Sequence, residues 1–135
     1  MLYHVDGYML GSNPSDIGGG YTIWSEEEEF DDFENKQKVH FFSKDVLKKG
    51  MTNNETELLA VLNCVRLAEP HSLIYTDSMN TIYWCKNGKS KARPDLNELL
   101  EEAKRLIEMK NIELLWICRD MNKAGVYNEY VLKHK

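Results

Sequence analysis

Three acids in this 135-residue sequence stand where an ionised side chain is costly. Asp6 interrupts the apolar string Tyr3-His4-Val5-Asp6-Gly7-Tyr8-Met9. Glu57 falls in the first turns of a helical pattern, shortly after the pair Asn53-Asn54. Asp77 ends the short apolar run Ser72-Leu73-Ile74-Tyr75-Thr76, at the kind of strand end where open sheets place functional groups. A buried carboxylate is unfavourable unless a partner neutralises it. Mg²⁺ or Mn²⁺ would do so, since hard cations take oxygen ligands and keep water or phosphate in their remaining positions. Two such ions roughly 4 Å apart can activate an attacking water and stabilise the departing oxygen of an in-line phosphoryl displacement. The plainer alternative is that each acid pairs with a lysine or caps a turn. For one lone acid that alternative is favoured; for three on suitable element ends it weakens.

The elements that must position these acids follow from patterning. Tyr3–Met9 reads as a strand, Gly11–Gly20 as a turn rich in glycine with Asn13-Pro14 inside it, and Gly20–Trp24 as a second strand. Lys38–Ser43 makes a third strand after the acidic stretch, so the first three strands form an antiparallel meander. Thr52 can cap a helix, with Glu55 three residues on as a capping box requires. Leu58, Leu59, Val61, Leu62 and Val65 then repeat at helical spacing, and Pro70 lies beyond the end. A helix follows Asp77 from Ser78 to about Lys86, and another opens at Pro94-Asp95 with Leu96, Leu99, Leu100, Ala103, Leu106 and Ile107 on one face. Ile112–Ile117 is the fifth strand, and a short helix from about Tyr127 completes the order β-β-β-α-β-α-α-β-α. A meander followed by strand–helix crossovers gives a mixed five-stranded sheet flanked by helices, an α/β (α+β mixed) fold.

Length and composition set the class. The chain is expected to be one domain with one core, and 42% hydrophobic residues exclude a disordered chain. No apolar run approaches a membrane span, and Met1-Leu2-Tyr3-His4 lacks the basic start of a signal peptide, so a cytoplasmic monomer is expected. Cys64, Cys85 and Cys118 have no metal-type spacing and read as reduced core thiols. A net charge of −5 argues against gripping a polyanion by bulk charge. The charge is uneven, however. Glu26 to Glu34 hold seven acids in nine residues and read as a solvated loop, while Lys86, Lys89, Lys91 and Arg93 form a basic stretch that a polyanion would approach. Trp84, just before that stretch, reads as core rather than as a stacking platform.

At the three acids the sequence resembles the type 1 ribonuclease H family. The resemblance rests on Asp6-Gly7 before a glycine-rich turn, on Thr52-Asn53-Asn54-x-x-Glu57-Leu58-Leu59-Ala60, and on Tyr75-Thr76-Asp77-Ser78. It covers essentially the whole chain, in the right order. The second string is the most specific. The resemblance implies a ribonuclease H-like fold and an endonuclease that cuts the RNA strand of an RNA–DNA hybrid. It implies two Mg²⁺ or Mn²⁺ ions held by Asp6, Glu57 and Asp77, and products with a 5′-phosphate and a 3′-hydroxyl. Asn53 and Asn54 match residues that contact the hybrid in its minor groove, where a 2′-hydroxyl marks RNA. Thr52 matches a contact to a DNA-strand phosphate, with Asn13 beside it in the turn, and Gly7 and Ser78 adjoin the ligands on the substrate side. The basic segment falls where some members carry a longer protrusion that holds the hybrid; its shortness implies weaker binding and a steep salt dependence.

The sequence departs from the family at the fourth acid, which normally follows an Asn by four residues on the last helix. Counting from Asn122 reaches Val126, and from Asn128 reaches Leu132. The preceding loop, Arg119-Asp120-Met121-Asn122, also lacks the family's mobile histidine. Three explanations stay open. Glu129 or Asp120 supplies the carboxylate from a shifted position; three ligands suffice with Mn²⁺ preferred and a low rate; or the domain binds hybrids or protein partners without cutting. Another nuclease of the superfamily, such as a junction resolvase, is disfavoured because it has no need of Thr52-Asn53-Asn54.

Overall fold

A computed structural model describes residues 1–30 and 35–133, with side-chain surroundings described outside 27–38 and 133. Strands β1 (Leu2–Leu10), β2 (Gly18–Phe30) and β3 (Asn35–Leu47) form the meander. Helix α1 (Asn53–Leu67), strand β4 (Leu73–Thr76), helices α2 (Met79–Asn87) and α3 (Asn97–Lys110), strand β5 (Glu113–Trp116) and helix α4 (Lys123–Lys133) follow. The sheet order is β3-β2-β1-β4-β5. β1 is therefore central, antiparallel to β2 and parallel to β4, and β4 is parallel to β5. This is a mixed five-stranded sheet with four helices, the α+β architecture expected of a ribonuclease H-like fold. None of the described helices is long and apolar enough to cross a membrane.

Alternation along β1 sends its side chains to two opposite faces of the sheet. Tyr3 and Val5 join the core with Leu58, Val61, Leu62 and Val65 of α1 and with Leu100 and Ala103 of α3. His4 and Asp6 turn to α4, where the amide of Lys123 donates to His4 Nδ1 at 2.9 Å and Asn128 meets Asp6. Leu62 is fully buried, so truncating it to alanine should cost about 2–5 kcal/mol. The far end of α1 is closed by Lys110, whose Nζ donates to the carbonyls of Val65, Arg66 and Ala68 at 2.8–2.9 Å. A cation there satisfies the orphan acceptors of a helix end.

Several local expectations are corrected. The acidic stretch is not a loop: β2 continues through Glu26–Phe30, paired with β3 down to Asn35. The register sets Glu27 opposite Lys38 and Glu29 opposite Lys36, so acidic positions face basic ones across the hairpin. The remainder of the run, at 31–34, lies outside the described residues. Gly18–Gly20 belong to β2, not to the turn. Cys118 is exposed, unlike buried Cys64 and Cys85, because it follows the end of the edge strand β5. α4 opens at Lys123, one turn earlier than Tyr127, since Asn122 Oδ1 accepts from the amides of Ala124 and Gly125 at 3.1 and 3.3 Å. Trp84 packs against the core.

Candidate active site

Close packing of α1 on β1 brings the first two acids together. A Cβ on Gly7 would lie 2.4 Å from Thr56 Oγ1 and 2.6 Å from the Glu57 amide, so only glycine lets the helix start this near the strand. Thr52 caps α1 by accepting from the Glu55 amide at 3.3 Å, and Asn13 Oδ1 accepts from the Asn53 amide at 3.1 Å. The second half of the expected capping box is replaced. The Glu55 carboxylate is buried between Lys48, at 2.6 Å, and Arg93, at 3.1 Å. Arg93 also donates to Thr52 Oγ1 at 2.8 Å and pairs with Asp95, so this member of the basic stretch is folded back onto the helix cap.

Asp77 enters from β4 beside β1. Thr76 Oγ1 accepts from the Ser78 amide, and Ser78 caps α2 by accepting from the Thr81 amide at 3.2 Å, which fixes the turn that carries Asp77. As a result Asp6, Glu57 and Asp77 present carboxylate oxygens all within 4.8 Å of one another. They line a cleft of about 290 Å³ with Gly7, Asn53, Trp116 and Arg119.

The electrostatics are those of anions lacking a counter-ion. Burial, then the neighbouring acids Asp6 and Asp77, hold the Glu57 carboxyl well above its ordinary range, although the Gly7 amide donates to it. Burial is also the main cause that pushes Asp6 up to about 6, opposed by the Asn128 amide and reinforced by Asp77. Asp77 is raised by burial too, against the pull of Arg119 and a hydrogen bond from Asn122. Glu57 Oε2 is buried with no hydrogen-bond partner. A native structure seldom leaves such an oxygen alone. Three clustered carboxylates, one with an orphaned oxygen, suit a hard divalent cation, which would relieve the repulsion among them.

The other candidate residues divide. Asn53 and Asn54 are exposed at the start of α1, with Thr52 and Asn13 immediately beside them and half-buried Ser78 at the start of α2. Glu129 is not brought into the carboxylate group: it is exposed and bonded to Arg119 Nε at 3.1 Å. Asp120 is exposed in a single 3-10 turn. Val126 and Leu132, the positions four beyond the two asparagines, are exposed.

Sequence reasoning used Asn122 and Asn128 only to count toward a missing acid, yet both are buried and both serve the site. Asn122 Nδ2 donates to the Val5 carbonyl at 2.9 Å, and Asn128 Nδ2 to Asp6 Oδ2 at 2.9 Å while its Oδ1 accepts from Thr22 at 2.5 Å. Nothing in their mixed polar and apolar surroundings marks them as buried. Trp116 and Arg119 were missed as cleft residues; nothing local in the sequence marks them.

Comparison with known proteins places this geometry. The profile of the RNase H family matches residues 1–131. Among solved structures, RNase H1 of the halophilic archaeon Halobacterium salinarum superposes with a TM-score of 0.67 at 15% identity, covering 98% of this chain and 97% of that one. The N-terminal RNase H domain of a Mycobacterium tuberculosis protein gives 0.62 at 21% identity, covering 93% and 92%. LC11-RNase H1, solved in complex with an RNA/DNA hybrid, gives 0.62 at 16% identity, covering 98% and 97%. At these identities the structures speak for the fold alone. No curated protein sequence matches the chain. The profile match spans nearly the whole length, and on that ground the chain belongs to the RNase H family.

Proposed function

We propose that the protein is a divalent-metal-dependent ribonuclease H that hydrolyses the RNA strand of RNA–DNA hybrids. The observation that carries this reading is the convergence of Asp6, Glu57 and Asp77 on one point, with a buried oxygen of Glu57 unpartnered. Mg²⁺ or Mn²⁺ held by these three residues, two ions when substrate phosphate is present, would supply the Lewis acidity that phosphodiester hydrolysis needs. Family membership and the hybrid bound to LC11-RNase H1 support the substrate class.

In this reading each residue of the chain has a separate task. Asp6, Glu57 and Asp77 hold the metal. Gly7 keeps the strand close to Glu57 and leaves the cleft floor open to the RNA backbone. Exposed Asn53 and Asn54 read the minor groove and its ribose hydroxyls. Thr52, steadied by Arg93 and flanked by Asn13, receives a phosphate of the DNA strand, and Ser78 sits at the cleft edge beside Asp77. Since no fourth carboxylate joins the group among the described residues, the expected rate is low and Mn²⁺ is the preferred ion.

Incubating the protein with a labelled hybrid, and separately with double-stranded DNA of the same sequence, in Mg²⁺ and in Mn²⁺ tests this. Cleavage of the hybrid's RNA strand alone is expected. No cleavage in either metal at high protein concentration would sink the enzymatic reading. It would favour a hybrid-binding module instead, the alternative suggested by the absence of an acid four residues beyond either asparagine and by the cation of Arg119 beside Asp77.

A further inference from the structure

Besides Asn53, two side chains of the cleft take no part in the carboxylate group. Trp116 ends β5 in register with Thr76, the residue before Asp77, and is 52% exposed. The chain treats its other indoles differently: Trp24 is buried and Trp84 packs against the core. Arg119 follows three residues later, exposed, with its Nε on Glu129 and its charge felt by both Asp6 and Asp77. Both line the same cleft as the three acids. An exposed indole and an exposed guanidinium thus offer an apolar face and a cation in the same cleft as the carboxylate cluster.

The bases of a hybrid are stacked and paired, so their faces are covered, and the wide, shallow groove presents ribose hydroxyls and base edges between the phosphates. Resting on the hybrid reading above, we propose that Trp116 and Arg119 clamp the nucleotide that flanks the cut bond. The indole lies against the face of its ribose, and the guanidinium leaves Glu129 to bind its phosphate. The carboxylates repel that phosphate when no metal is present; the Arg119 charge, which reaches Asp6 and Asp77, offsets this. The clamp contacts no base edge, so it positions the RNA strand without sequence preference.

Binding of a hybrid in Ca²⁺, with its integrity checked on a gel, separates the parts. Indole fluorescence of the wild type should change on titration, and Trp116→Phe should remove most of that change. Trp116→Ala should weaken binding about tenfold, with Trp116→Phe recovering most of the loss. Arg119→Gln should lower the slope of log Kd against log salt by about one, the signature of a lost phosphate contact, and Arg119→Lys should keep it. A single abasic ribonucleotide anywhere in the RNA strand should leave the Trp116→Ala effect intact. If Trp116→Ala binds like the wild type and the fluorescence does not respond, the clamp is overturned while the hybrid reading stands. Loss of the Trp116→Ala effect at one abasic position would replace the sugar contact by base stacking. Failure of the wild type itself to bind the hybrid would remove both.

Discussion

The side-chain amide of Asn128 donates to Asp6 Oδ2 at 2.9 Å, so the last helix reaches the carboxylate cluster with a neutral group rather than an acid. That contact orients Asp6 and lowers its proton affinity, but it adds no ligand. Asn128→Asp would place a further carboxylate against Asp6. Without metal it should lose about 1–3 kcal/mol, from like-charge repulsion and from the broken bond. Saturating Mn²⁺ should recover much of this, because an ion bound only by the folded state stabilises it. Thermal melts of both proteins with and without Mn²⁺ check it; a variant that stays equally weak in Mn²⁺ would show that position 128 cannot reach the ion.

Removing an acid should act in the opposite direction. Asp77→Asn relieves repulsion among three buried or half-buried carboxylates, so the metal-free protein should melt about 2–5 °C higher. The same variant should lose the Mn²⁺-induced rise in Tm and the cleavage of a hybrid. A large fall in Tm would instead make Asp77 a structural partner of Arg119.

Gly7→Ala tests the approach of α1 to β1. Its Cβ would press on Thr56 Oγ1 and on backbone atoms of Thr56 and Glu57, which cannot give as a flexible side chain does. A loss of about 3 kcal/mol is expected, at the upper end for overpacking. Denaturant midpoints at constant slope would measure it, and metal affinity should fall as well, since Glu57 is displaced.

Protonation divides the site from its neighbour His4. Asp6 near 6, and Glu57 and Asp77 above their usual values, take up protons more readily folded than unfolded. The stabilising effect of Asp6 is full below about 4 and is lost as pH rises through about 6; Glu57 and Asp77 act in the same direction. His4 is pushed down to about 4 by burial and then by Lys123, so its effect is full above 6.5 and is lost as pH falls toward 4. In His4→Gln the acid-side loss should vanish, and metal-free stability should rise steadily from pH 7 to 4.5 in urea titrations. Mn²⁺ competes with the same carboxyl protons, so calorimetric affinity should increase between pH 5 and 7, by about tenfold per unit for each proton displaced.

Much of this was legible locally. The apolar strings around Asp6 and Asp77, the Thr52 cap and the leucine spacing of α1 and α3 each declare an element within a few residues of the acid it carries. What failed to show depends on partners far along the chain. Four consecutive glutamates, Glu26 to Glu29, read as a solvated loop, yet their stretch is a strand because β3 runs beside it with lysines in register. Lys123-Ala124-Gly125 has little helical periodicity; the helix starts there because Asn122 is tied to Val5 and His4 to Lys123. Glu55 fits a capping box, but Lys48 and Arg93 compete for its carboxylate with full charges, against which a single backbone amide is weak.

The span between Asp6 and Asn128 has a consequence in time. The two are 122 residues apart, and closing so long a stretch of chain is entropically demanding and late. During synthesis the three acids leave the ribosome well before α4, and until that helix docks Asp6 lacks its bond to Asn128. A nascent chain is therefore expected to carry its acids in a silent form. Whatever chemistry they perform starts only once α4 has been made and has docked.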